Sequence, residues 1–484
     1  MLASLDPYTN YYPESDIEDV KLQLLGEYGG VGALIHQNGK QIYIAEPYKG
    51  MPADVAGIKA GDRIVAVNGV STEGKNNGEV SSAMRGQAGT EVTLKLERNG
   101  KTFEKTIVRK EIKLKPVPYY GFVKNDVGYV KLDEFTQGAA QLVRDAFKTL
   151  KQERPHMKGF ILDLRGNGGG LLNEAVDLVN LFVKKGELIV ETKGKIASKN
   201  MKSYTRLAPE DSEIPVAVLL DGYSASASEI TSGSLQDLDR AVIIGTRSFG
   251  KGLVQNVLPM KYNTQMKVTV SKYYIPSGRC IQAIDYANRD ASGKALKVPD
   301  SLKTAFQTRA GRTVYDGFGI EPDVEVKPEY MSSLAVMLIN KFYVFDFVTE
   351  FVNKHPTIAS AAEFEVTDEI YNEFKNYLAD KDYSYSTITE ATLKELRKTA
   401  EEEGYLESIK GQLDKLEEQF KADKQSDLDK HRKEISLLLK GEILVRYYYD
   451  AGRIEGNLKE DPDVLKAVEV LCDKARYQEI LSKK

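Results

Sequence analysis

Val216-Ala-Val-Leu-Leu-Asp-Gly-Tyr-Ser-Ala-Ser-Ala-Ser-Glu-Ile230 decides the architecture. Its first five residues are a continuous apolar run, the pattern of a strand covered on both faces. Asp221-Gly222-Tyr223 breaks the run in a tight turn, and Ser226-x-x-Glu229 is a capping-box pattern that opens a helix. The same order recurs upstream. Phe160-Ile-Leu-Asp-Leu164 is near-continuously apolar, Arg165-Gly-Asn-Gly-Gly-Gly170 is the turn, and a helix runs from Leu171 to about Lys184. Gly128 to Leu132 and Ala241 to Gly245 read as further strands, and Ala139 to Leu150 as a helix with Leu142, Val143, Phe147 and Leu150 on one side. Buried strands alternating with helices predict an α/β layer on a mostly parallel sheet from about Tyr119 to Val326. The alternating stretch Gln265 to Ile275 adds antiparallel strands.

Upstream, Gly29 to Glu111 reads as a small β-rich module. Gly29-Gly-Val-Gly32 precedes Ala33-Leu-Ile35, and Gln41-Ile-Tyr-Ile-Ala45 alternates. Ala56-Gly-Ile-Lys-Ala-Gly-Asp62 leads into the strand Arg63-Ile-Val-Ala-Val67 and the turn Asn68-Gly69. Val80 to Arg85 is a short helix, and Asn99-Gly100 joins strands Glu91 to Leu96 and Thr102 to Val108. Residues 1 to about 27 are acidic and aromatic, with an amphipathic stretch Ile17 to Leu25, and read as a lead-in. Beyond Pro328, Ser332 to Val352 is apolar and aromatic, Thr392 to Leu439 is dense in Lys and Glu, and Asp461 to Leu481 is amphipathic. This predicts an α-helical domain whose charged run is a solvated face; its apolar seam is too short for a long coiled coil.

The 484 residues exceed one ordinary core, so two to four domains are expected. A net charge of −4 without a dominant basic block excludes a general nucleic-acid binder. Cys280 and Cys472 lie far apart and make neither a disulfide framework nor a zinc set. No apolar run reaches the ~18 residues needed to span a bilayer. Met1-Leu-Ala-Ser-Leu-Asp-Pro-Tyr8 runs directly into polar sequence, so no signal peptide is read there.

Chemistry concentrates in three places. A hydroxyl near a helix start meets free backbone N–H groups and partial positive charge, which favour an oxyanion. Ser226 has that setting, although Ser224 and Ser228 compete and the capping box alone explains the pattern. Lys251, between Gly250 and Gly252, is followed four residues later by Gln255, a spacing that puts both side chains on one side. A lysine base must be neutral near pH 7, far below its ordinary ~10.4, and the neighbouring Leu253 and Val254 supply apolar surroundings. Gln255 would hold the amine through a neutral hydrogen bond. The turn Gly166-Asn-Gly-Gly-Gly170 fails both phosphate-binding patterns, since position 171 is Leu and no Gly-Lys-Ser/Thr follows. A glycine turn aiming an N–H into a cleft serves an oxyanion hole equally well. None of the four histidines has a catalytic setting, and HExxH is absent, so the zincin class is unsupported; no metal site is expected.

Taken together, Ser224-Ala-Ser-Ala-Ser-Glu-Ile230 and Phe249-Gly-Lys-Gly-Leu-Val-Gln255 closely resemble the signature of the carboxy-terminal processing proteases, the S41 family of serine peptidases. Asp163-Leu-Arg-Gly-Asn-Gly-Gly-Gly170, Tyr274-Ile-Pro-Ser-Gly-Arg279, Gly319-Ile-Glu-Pro-Asp323 and the lead-in Leu5-Asp-Pro-Tyr8 share the resemblance, and Ala56 to Asp62 resembles a PDZ domain. It covers roughly residues 4 to 327 and implies a lead-in over 1–27, a PDZ domain over 28–113 and an α/β (ClpP/crotonase-like) catalytic core over 114–327. The α-helical C-terminal domain over 328–484 lies outside it. By motif, Ser226 is the implied nucleophile, Lys251 its base and Gln255 its support; the oxyanion hole is Ala227 with Gly169 or Gly170. Val31-Gly32-Ala33-Leu34 resembles the loop and strand that receive a substrate's C-terminal carboxylate by strand addition. Arg85 matches a position implicated in coupling PDZ docking to activity. Gly166 and Gly168 make the oxyanion loop more glycine-rich than in many relatives. The implied activity is ATP-independent, cofactor-free cleavage of polypeptides with accessible C-termini, with possible homo-oligomerisation through the helical domain. Because family members are typically exported, a periplasmic or envelope location is expected, with the export signal absent from this chain. The competing reading is a catalytically silent PDZ adaptor of the same fold.

Overall fold

Short apolar runs become the centre of a six-stranded sheet because each buries both faces. In this computed structural model, which describes residues 2, 5–14, 26–290, 293, 295–424 and 426–482, Val127–Lys131, Gly159–Asp163, Val216–Leu220 and Val242–Gly245 lie side by side in parallel. Tyr120–Val123 adds an antiparallel edge and Val324–Glu325 closes the other end in parallel. Even-numbered side chains such as Phe160, Leu162, Val216 and Val218 share one core with the helices Ala139–Glu153, Leu172–Val179 and Ala227–Asp237. The amphipathic stretch expected over Ile17 to Leu25 lies outside the described residues.

The chain divides into two compact units. The first comprises Met1–Gly29, Glu111–Pro328 and Leu458–Lys484, and the second Gly30–Lys110 and Glu329–Asn457. The segment 328–484, expected as one helical domain, is thus shared between the two units, with the division at Leu458. From Leu458 onward the chain belongs to the sheet layer: the helix Pro462–Cys472 packs on the Gly159–Asp163, Val216–Leu220 and Val242–Gly245 strands. Gly159 faces Leu471, the side opposite Phe160, so this helix covers the second face. The Tyr477 hydroxyl bonds both Val216 backbone groups and the Arg240 carbonyl. Arg165 reaches the same helix start through Asp461 and Asp463, 2.9 and 2.8 Å away. A parallel sheet needs cover on both sides, and the amphipathic pattern alone does not say which surface a helix covers.

A second sheet in the first unit is built on the hairpin Leu253–Pro259 and Gln265–Tyr274. Leu188–Gly194 pairs with one end of the longer strand and Asn10–Tyr12, from the lead-in, with the other.

In the second unit the β-rich module is an antiparallel sheet in the order Ala33–Asn38, Gln41–Pro47, Arg63–Val67, Glu91–Arg98, Lys101–Val108. Ile42, Ile44, Ile64, Leu94 and Leu96 form its core with Val80 of the helix Asn77–Met84. The helices Ser333–Asn340, Tyr343–Lys354 and Asp368–Leu378, with the helical segment Arg432–Asn457 that is kinked at Tyr449, have their own core around Phe347, Phe351, Phe374 and Ile443. Within this unit the two parts are docked. His36 stacks on Phe342 with ring centroids 4.6 Å apart, and the Tyr449 hydroxyl donates to Asp54 at 3.0 Å.

Candidate active site

Ser226 stands immediately before the helix Ala227–Asp237 with φ 56° and ψ −111°. This conformation is strained for a residue with a side chain and persists only where neighbours impose it. Two do. The Glu229 carboxylate accepts the Ser226 N–H at 2.8 Å, and the Tyr273 hydroxyl lies 3.2 Å from the Ser226 carbonyl. The competition among three serines is resolved by where each hydroxyl goes. Ser224 and Ser228 are fully buried and donate to the Leu164 and Asn167 carbonyls, each at 2.9 Å. Ser226 instead lines a cavity of about 480 Å³, together with Lys251, Gln255, Gly169 and Gly170.

Glu229 also holds the lysine motif. Its two oxygens accept from the Ser248 hydroxyl at 2.6 Å, Gly250 N–H at 2.7 Å and Lys251 N–H at 2.8 Å. One fully buried carboxylate therefore ties the backbone of both motifs together; burial pushes it upward while these donors pull it back. Tyr273 contributes a second tie, donating to the Lys251 carbonyl. Gly250, at φ 89°, packs against Ala283 so closely that a Cβ would overlap it.

The Lys251 amine is drawn down to about 8, first by burial and then by the charge of Lys267; Glu229 and Asp6 act in the opposite direction. Its Nζ lies 4.4 Å from the centre of the Tyr8 ring. Asp6 fixes that lead-in segment by accepting the Tyr8 and Thr9 N–H groups, both at 2.8 Å. Sequence reasoning treated these residues as a lead-in only; Tyr8 and Asp6 belong to the surroundings of the amine. Gln255 shares the cavity, but its amide donates to Thr269 Oγ1 at 3.2 Å, and no hydrogen bond joins it to Lys251 among the described residues.

The glycine turn is organised by Asn167, which is fully buried. Its amide donates to the Leu132 carbonyl and its Oδ1 accepts the Gly169 N–H at 2.8 Å. Gly169, at φ 104°, lies so close to the Ser226 turn that a Cβ would stand 2.7 Å from Ser226 Cβ and 2.9 Å from the Ala227 nitrogen. The Gly170 N–H makes no hydrogen bond among the described residues, whereas that of Gly169 is committed. Ala227 opens the helix, where backbone N–H groups lack intrahelical partners.

In the second unit, Val31 is buried and its carbonyl accepts the Ala53 N–H at 2.8 Å. Gly32 turns at φ 73°, and Ala33 and Leu34 begin the edge strand, Leu34 about half-exposed. Arg85 ends the helix Asn77–Met84, donating its N–H to the Ser81 carbonyl. Val31 to Leu34 thus lead onto an edge of the sheet, the kind of edge a peptide strand extends.

Residues 126–288 match peptidase family S41, residues 43–98 a PDZ domain, and residues 334–471 the C-terminal helical domain of probable PDZ-proteases. A probable CtpA-like serine protease of Staphylococcus aureus is 31% identical over 380 residues, 77% of this chain and 72% of that protein. This chain belongs to peptidase family S41. The carboxy-terminal-processing protease of Bartonella bacilliformis is 41% identical over 288 residues, 59% of this chain and 66% of that protein. Among solved structures, the photosystem II D1 C-terminal processing protease is 27% identical, covering 70% of this chain and 82% of its own, with a TM-score of 0.38. The resemblance read from the motifs is borne out. This S41 peptidase is of the carboxy-terminal-processing type, with a PDZ domain, an α/β protease layer and a helical domain.

Proposed function

We propose that this chain is a serine endopeptidase in which Ser226 is the nucleophile and Lys251 the general base. The observation that carries this reading is the pair of motifs strapped to one buried carboxylate, with Ser226 and an amine drawn down to about 8 lining one cavity. The neutral amine takes the Ser226 proton as Oγ attacks the peptide carbonyl, giving an acyl-enzyme; the amine then activates water for deacylation. The Ala227 N–H and the uncommitted Gly170 N–H hold the oxyanion, while Gly169 keeps the approach to Ser226 open. Gln255 supports the base from the same cavity wall. The PDZ domain selects polypeptides by their C-terminal tails, adding them along Ala33–Asn38, with Arg85 at the end of the adjoining helix coupling docking to turnover. Membership of an exported family supports a periplasmic or envelope location, which cell fractionation tests. Exposed Ile388, Leu396 and Tyr405 on the helical domain support self-association there, which sedimentation tests.

The decisive experiment is cleavage of an unstructured protein with an apolar C-terminus. Ser226→Ala and Lys251→Ala each lower the rate by about 10³-fold or more while leaving the circular dichroism spectrum unchanged. Full activity in either variant removes the mechanism, and an inactive parent chain favours the PDZ adaptor.

A further inference from the structure

The catalytic cavity holds a second lysine that the proposed chemistry does not use. Lys267 lies on the Gln265–Tyr274 strand directly opposite Val257. Gln255 and Val257 alternate onto the same face of their strand, and both line the cavity. Cross-strand partners share a face, so Lys267 joins them, and it too lines the cavity. It is half-buried and makes no ion pair among the described residues. A partly desolvated ammonium without a counter-ion raises the cost of any second positive charge nearby.

Several groups around Lys251 favour the charged form. Glu229 lies beneath it, Asp6 approaches from the lead-in segment, and the Tyr8 ring offers its face to a cation. Asp133 and Glu134 add carboxyls to the cavity wall. Burial and Lys267 oppose them.

We propose that Lys267 is a positioning residue for the base: it stands charged on the cavity wall and makes a second ammonium unfavourable, so that Lys251 enters the reaction as the free amine. This rests on Lys251 being the base. Two lysines on one cavity wall share the cost of charge unequally, and the more deeply buried one yields its proton. Lys251 is lowered by burial and by Lys267, whereas Lys267 is lowered by burial alone.

The test is the pH dependence of kcat/KM for peptide cleavage by the full chain and its Lys267→Met and Lys267→Arg variants. Removing the charge leaves burial alone to oppose the acidic neighbours, so Lys251 holds its proton to higher pH and the acidic limb of the profile moves upward. A shift of about half to one pH unit makes Lys267→Met about three- to tenfold slower at pH 7, with the deficit closing on the alkaline plateau. Lys267→Arg keeps the wild-type limb. A Lys267→Met profile lowered equally at every pH, or a Lys267→Arg limb that moves like that of Lys267→Met, overturns the proposal. Should Lys267→Met unfold, Lys267→Gln gives the same reading. Activity persisting in Lys251→Ala instead overturns the assignment of the base, a result separate from the position of the limb.

Discussion

Glu229 is the residue on which the proposed chemistry converges without touching substrate. A carboxylate offers acceptors only, and here the four donors are the Ser226, Gly250 and Lys251 N–H groups and the Ser248 hydroxyl. A glutamine of the same shape keeps one acceptor oxygen and turns the other into a donor facing N–H groups. The strain stored at Ser226 then loses part of its restraint. Glu229→Gln should therefore lose about 1–3 kcal/mol of stability, the cost of leaving buried donors unpaired. Its kcat should fall by about 10²-fold or more, because the backbone holding the proposed nucleophile and base relaxes together. Denaturant titration beside steady-state kinetics checks both, and an unchanged kcat would show that the strap serves stability alone. From the sequence, Ser226-x-x-Glu229 was legible as a helix-start pattern; that its carboxylate also receives Gly250 and Lys251 depends on a fold-level approach that local pattern does not contain.

At the level of elements, the strands were legible because continuous apolar runs such as Val216–Leu220 have few other ways to be satisfied. The hairpin shows where legibility ends. Its register shifts between Val254 and Gln255, so alternation read from sequence does not say which residues of the partner strand meet the cleft. Lys267 was invisible for that reason. The commitment of the Gly169 N–H to Asn167 is likewise set by one side chain's placement in a turn of near-identical glycines. The helix Pro462–Cys472 is a third case: its pattern was plain, but its packing against the protease sheet was not. Leu471 is fully buried against Gly159, and its truncation would leave a void that close-packed strands cannot fill. Leu471→Ala is expected to cost about 2–5 kcal/mol in chemical denaturation. A loss below about half a kcal/mol, as at an ordinary surface position, would show that this helix does not help hold the sheet layer.

For the chain as a whole, one question is what the helical part of the second unit does to the PDZ domain. His36, on the edge strand proposed to receive peptide, lies against Phe342 and Phe345, with ring centroids 4.6 and 4.3 Å away. Arg446 faces the same aromatic group, 4.3 Å from the centre of the Phe345 ring. Burial first and the Arg446 charge second draw the imidazole down to about 4. The ordinary value of ~6.5 applies once the chain unfolds, so as pH falls the unfolded chain takes up this proton first. Docking therefore contributes fully above about pH 6.5, and its contribution is lost progressively towards about pH 4. Asp346 works in the opposite direction, because burial pushes its carboxyl up to about 6 and the folded state takes up that proton more readily. The His36 effect must accordingly be read as a difference. Thermal unfolding followed from pH 7.5 to 4.5 should show the wild-type chain losing Tm on acidification relative to His36→Phe, which keeps the aromatic stacking and cannot be protonated. Curves that stay parallel over this range would mean that His36 does not couple protonation to the docking of the two parts.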